Sequence, residues 1–191
     1  MRYVYVVVAL AALGLAAAVG VPRLMHGDRD RRSVDSPSSG YIRSAGGTLH
    51  SAHLSVRLSA TADVLPPGGE TTLVADVTPN RNMHVYAPGQ EGYIPISLVI
   101  NHSNAFRAKP PEFPPSEPYF FAPLKETVQV FGKPFRITSV LTIGRSPEVE
   151  RRAAAGDAIR VAGRLTYQAC DDAVCYRSET MPVTWTIRLR R

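Results

Sequence analysis

This chain lacks the motifs of most common chemistries. It has no Gly-rich phosphate loop, no Gly-x-Ser-x-Gly and no His-Glu-x-x-His, which removes the usual nucleotide, serine-hydrolase and zinc-protease readings. Its net charge is +6, yet the basic residues are scattered and form no Lys/Arg cluster interleaved with aromatics. Nucleic acid is therefore not an expected partner. No internal repeat and no strand–helix–strand alternation is present, which excludes a thioredoxin fold. Cysteine is scarce, with two among 191, Cys170 and Cys175. Four residues separate them, too few for the inter-sheet staple of an immunoglobulin domain.

What is present begins with an apolar leader. Arg2 is followed by an unbroken apolar run from Tyr3 to Val21, with small residues at Ala16, Ala17 and Ala18. A short basic start and an Ala-x-Ala site fit a secretory signal. The run also has the length of a spanning helix, about 17–25 residues. Residues 1–21 are thus expected to be a signal peptide or a membrane anchor, with a possible tether through residues 3–21. Arg23, Arg29, Arg31 and Arg32 beyond it disfavour export, with Asp28 and Asp30 among them. Either way the body is expected to be extracytoplasmic, where disulfides persist. Residues 22–48 are polar and expected to be a flexible linker.

The body, residues 49–191, has the pattern of strands. Sixteen prolines and fourteen glycines favour turns over long helices. Leu54, Val56 and Leu58 alternate within a strand from His53 to Ala62. Further strands are expected at Thr71–Thr78, Pro95–Asn101 and Phe106–Phe113, the last an edge because of Pro110 and Pro111. Thr127–Phe131 and Phe135–Ile143 suggest a hairpin around Gly132 and Lys133, and Ser146-Pro147-Glu148 would start a helix ending near Ala155. Asp157–Ala169 and Met181–Leu189 form the last pair of strands. These turn spacings predict an all-β, immunoglobulin-like antiparallel sandwich.

The cysteine pair lies between those last two strands, in Tyr167-Gln-Ala-Cys-Asp-Asp-Ala-Val-Cys-Tyr176. A pair that opens and closes there carries two electrons. The competing reading is a local structural bridge, which closes a small loop and contributes roughly 2 kcal/mol. A sandwich of this size should not need it. Asp171 and Asp172 should raise the thiol pKa by like-charge repulsion, while Arg177 acts oppositely. Both thiols are then ordinary nucleophiles, and a partner's low-pKa thiolate is expected to attack this disulfide.

Two other segments qualify as candidates. Met83 and His84, with the two thiols, have the ligand softness for copper, against a packing role for His84 and Tyr86. Pro114 to Pro123 carries Tyr119, Phe120 and Phe121, expected as a proline-rich loop that is either a buried plug or a lid over the disulfide.

The segment Tyr167-Gln168-Ala169-Cys170-Asp171-Asp172-x-x-Cys175, followed by Thr184-Trp185-Thr186-Ile187, resembles the amino-terminal periplasmic domain of the thiol:disulfide interchange protein DsbD. His84 to Gly89 and Gly92 to Pro95 are also similar, and the resemblance covers about residues 50–191. It implies a sandwich of protein-disulfide reductase type that relays electrons from a membrane-embedded reductase to thioredoxin-like periplasmic proteins, including those of cytochrome c maturation. By the same resemblance Cys170 and Cys175 are the redox pair, and Cys175 forms the mixed disulfide. Tyr86 and Tyr167 are supporting residues beside Asp171 and Asp172, and Phe120 or Phe121 is the cap. The full-length family protein continues into a membrane domain and a thioredoxin domain, so the electrons are expected from a separate polypeptide. No cofactor is implied. A non-catalytic binding module with a structural disulfide, and a copper-handling protein, are the alternatives.

Overall fold

Alternating apolar and polar residues extend into strands along almost the whole body. The computed structural model describes Ile42–Arg43 and residues 47–191. The expected leader, residues 1–21, and most of the expected linker, residues 22–48, lie outside those residues. In chain order the strands begin with β1 (Ile42–Arg43), β2 (Thr48–His50), β3 (Leu54–Ala60), β4 (Val64–Leu65) and β5 (Glu70–Pro79). Next come β6 (His84–Tyr86), β7 (Ser97–Ile100), β8 (Phe106–Ala108), β9 (Glu117–Phe121), β10 (Glu126–Phe131) and β11 (Phe135–Ile143). Helix α1 (Pro147–Ala155) precedes β12 (Ala158–Tyr167), β13 (Ala169–Cys170) and β14 (Glu179–Leu189).

The expected all-β sandwich is what forms. One sheet has the order β1-β2-β3-β5-β11-β8, a second β4-β14-β12-β7, and a small third β13-β6-β10-β9. Pairing is antiparallel except between β4 and β14. Leu54, Val56, Val77, Ile137 and Leu141 of the first sheet share a core with Val161, Leu165, Met181 and Ile187 of the second. Each such side chain, fully buried, contributes about 1.5–3 kcal/mol. Trp185 of β14 ties the two sheets together by donating from Nε1 to the Val74 carbonyl of β5 at 3.1 Å.

Helix α1 forms where expected. Ser146 caps it by accepting from the Val149 amide, Pro147 occupies its first turn, and Gly156 ends it at φ 71°. Two other expectations are corrected. β10 and β11 are not a hairpin, because β10 pairs with β6 and β9 whereas β11 pairs with β5 and β8. Gly132, Lys133 and Pro134 carry the chain from one sheet to the other, and Phe131 stacks on Phe135 across the step at 4.2 Å. The segment expected as a proline-rich loop holds strand β9, paired with β10 from Glu117↔Val130 to Phe121↔Glu126. Pro118 fits there because β9 is an edge strand and needs no donor on its open side.

Candidate functional site

Strand β12 gives way to β13 after a single residue, Gln168, and the chain passes from the second sheet into the third. The Gln168 side chain holds this bend, donating to the Tyr176 carbonyl at 3.1 Å and accepting from the Ile94 amide at 3.2 Å. β13 then pairs with β6, setting Ala169 opposite Val85 and Cys170 opposite His84. Cys170 and Cys175 are joined in a disulfide with their Cα atoms 4.1 Å apart.

The intervening turn is closed by its own hydrogen bonds. The Tyr176 amide donates to the Ala169 carbonyl at 2.8 Å, and the Asp171 amide to the Val174 carbonyl at 3.0 Å. Asp171 Oδ1 accepts from the amides of Ala173 and Val174, both at 2.8 Å, and Oδ2 accepts from the Tyr176 hydroxyl at 2.9 Å. These donors, the Val174 and Ala173 amides first, hold the Asp171 carboxyl below its usual range.

Tyrosines surround the sulfurs. Tyr86 is fully buried, and its hydroxyl lies 3.2 Å from each sulfur. A disulfide carries no hydrogen, so the hydroxyl is the donor, its single hydrogen shared between the two sulfurs. Burial, then the neighbouring Tyr93, pushes the Tyr86 hydroxyl well above the ordinary phenol value, so it stays protonated. Tyr93 stacks on Tyr86 with centroids 4.0 Å apart and donates to the Glu126 carboxylate. On the other side Tyr119 donates to Asp172 Oδ1 at 2.7 Å and lies against the His84 ring at 4.4 Å. His84 meets Tyr86 edge-on at 6.0 Å. Its Nε2 is buried and has no hydrogen-bond partner. Burial depresses the His84 pKa, opposed by the charges of Asp172 and Asp171.

The sequence candidates are thus distributed unevenly. Cys170, Cys175 and Tyr86 come together, with Asp171 and Asp172 in the connecting turn. Cys170 is completely buried, whereas Cys175 is partly open to solvent. Tyr167 belongs to the main core, where its hydroxyl meets Ser51 at 2.6 Å and Glu179 at 3.0 Å. Phe121 is buried and Phe120 is 60% exposed, and neither is in the cluster around the sulfurs. The rings there are Tyr93 and Tyr119, which sequence reasoning did not select. Period-two alternation from Glu117 to Phe121 would have separated Tyr119 from Phe120, had the segment been recognised as a strand. Arg177 is exposed and makes no ion pair among the described residues. Among those residues no group of three or more His, Cys, Asp or Glu has the arrangement of a metal site.

The fold and site together define a disulfide-bearing β-sandwich domain, with one phenol hydroxyl 3.2 Å from both sulfurs beside a small third sheet. The chain belongs to the family of the N-terminal domain of the thiol:disulfide interchange protein DsbD, whose sequence model matches residues 53–186. Among solved structures, the N-terminal periplasmic domain of ScsB from Proteus mirabilis is similar at 14% identity and a TM-score of 0.41. That likeness covers 79% of this chain and 50% of the ScsB chain, so this chain spans half the length of that one. The GAE domain of GGA2p from Saccharomyces cerevisiae is similar at 7% identity and a TM-score of 0.35, over 78% of this chain and 97% of that one. No curated protein matches the sequence.

Proposed function

We propose that this protein is an extracytoplasmic thiol-disulfide exchange domain whose Cys170–Cys175 pair relays electrons between a membrane-embedded reductase and thioredoxin-like partners. The observation that carries this reading is the unequal exposure of the two cysteines, whose sulfurs share the Tyr86 hydroxyl. A partner's thiolate reaches Cys175 and attacks its Sγ. The sulfur–sulfur bond breaks, a mixed disulfide forms on Cys175, and Cys170 leaves as a thiolate. The partner's second thiolate then attacks its own mixed-disulfide sulfur, closing the partner's disulfide and releasing Cys175. Two electrons have moved to this domain with two protons. In the return step the Cys175 thiolate attacks the next protein's disulfide, and Cys170 resolves the adduct.

Family membership supports exchange chemistry and a periplasmic setting. The rival role, a structural staple, has little to hold, since the turn is already closed by the Ala169–Tyr176 backbone bond and the Asp171 carboxylate. Among the described residues no helix is long and apolar enough to cross a membrane. Equilibration with glutathione buffers tests the reading. An exchange pair reaches a reproducible midpoint above about −300 mV, and a bridge that stays closed well below that value sinks it.

A further inference from the structure

Nothing in the exchange steps above uses His84, yet it is among the most unusual residues in the molecule. It is 4% exposed, its Nε2 has no partner, and it sits directly opposite Cys170 in the β6–β13 ladder. Directly opposed residues of an antiparallel pair project from the same face, with Cβ atoms about 4.5–5.5 Å apart. A buried polar atom without a partner is destabilising, so a persistent one calls for a role.

The chemistry of Cys170 supplies one. When Cys175 is attacked, Cys170 leaves as an anion in a pocket with Tyr86, Val128 and Val130. A buried thiolate needs a counter-charge as well as a hydrogen bond. Tyr86 gives the hydrogen bond and no charge. The other groups facing His84 are neutral or acidic: Tyr86 on its own strand, Tyr119 and Glu117 on β9, and Asp171 and Asp172 in the turn. From β10 come only Val130 and, just beyond the strand, Gly132. The nearby Lys133 is bound to Glu117 at 2.7 Å, and Arg177 is exposed. Imidazole is the one group there able to become a cation.

We propose that His84 is the redox-linked proton acceptor of this domain, neutral beside the closed disulfide and protonated beside the Cys170 thiolate once the pair is reduced. The inference rests on the exchange reading. The balance is complete: the partner's dithiol gives two electrons and two protons, one proton ends on Cys175 and the other on His84. The partner leaves as a disulfide. A cavity of about 200 Å³, lined by Met83, His84, Tyr119, Asp172 and others, adjoins the residue. Burial disfavours the imidazolium beside the closed disulfide, while the charges of Asp172 and Asp171 favour it, and a Cys170 thiolate would add to them.

The experiment is nitrogen NMR of the His84 ring in oxidised and fully reduced protein between pH 5.5 and 8. Thiolate absorbance and the glutathione midpoint are recorded on the same samples. A neutral ring in the oxidised form and a charged one in the reduced form at pH 7 is the expected result. In H84Q the reduced thiolate signal at pH 7 should fall several-fold, and the equilibrium should move about tenfold toward the disulfide, which is about 30 mV. If H84Q does not fold, the wild-type ring signal alone decides. A pair that equilibrates with glutathione while the ring keeps one charge state overturns this inference and leaves exchange standing. A pair that no reductant opens overturns both.

Discussion

Cys170 and Cys175 share one bond but not one environment: Cys170 has no exposed surface and Cys175 is partly open. The chain direction produces the difference. Cys170 ends β13, pressed between β6 and the tyrosines, while Cys175 lies after a four-residue turn whose members Asp172, Ala173 and Val174 are exposed. On the exchange reading, attack is expected at Cys175. The Cys170→Ser variant should capture a thioredoxin-like protein as a stable mixed disulfide on Cys175, whereas Cys175→Ser should capture at least tenfold less. Mass spectrometry of the trapped adducts checks this, and equal capture by the two variants would remove the directional claim.

The Tyr86 hydroxyl lies 3.2 Å from both sulfurs, sharing its one hydrogen between them, and does not ionise near neutral pH. Its hydrogen bond to a thiolate should exceed that to a disulfide, because hydrogen bonds to charged groups contribute about 1.5–3 kcal/mol. Tyr86→Phe removes the hydroxyl and keeps the ring stacked on Tyr93. The reduced form loses more than the oxidised form, so the midpoint should become more negative by about 30–60 mV, at about 30 mV per 1.4 kcal/mol. A glutathione titration that shows no change would contradict it.

The turn between the cysteines should loosen in acid. The Asp171 carboxyl has its folded pKa depressed, first by the Val174 and Ala173 amides and then by Tyr176. A depressed folded value means its contribution is complete above the ordinary aspartate value of about 3.9 and is lost as pH falls through the folded value. The amide shifts of Ala173 and Val174 should stay constant from pH 7 to about 5 and move together only below about pH 4. Asp171→Asn should move them at neutral pH.

Gly163 lies in the middle of β12, where a Cβ would come 2.6 Å from the Val99 carbonyl oxygen of β7. That oxygen is backbone and cannot swing aside. Gly163→Ala should therefore cost about 1–3 kcal/mol by overpacking. The loss should appear in urea unfolding as a lower midpoint with the slope unchanged. The disulfide midpoint potential should stay the same, since β7 is not part of the small third sheet.

Sequence alone carried the strand-forming body, the capped helix and the cysteine pair between the last two strands. Each is written locally, in period-two alternation, in Ser146-Pro147 before a helical run, and in the spacing of Cys170 and Cys175. The tertiary structure decided which strands are partners and which rings meet the sulfurs. Phe135 follows Phe131 closely in the chain yet lies in another sheet, because β10 pairs with β6 and β9 while β11 pairs with β5 and β8. Tyr119 and Tyr93 reach the disulfide region from remote segments, and the unpartnered nitrogen of His84 exists only once β9, β10 and β13 close around it. Local pattern sets the direction a side chain takes from its own backbone. What it meets there depends on long-range packing.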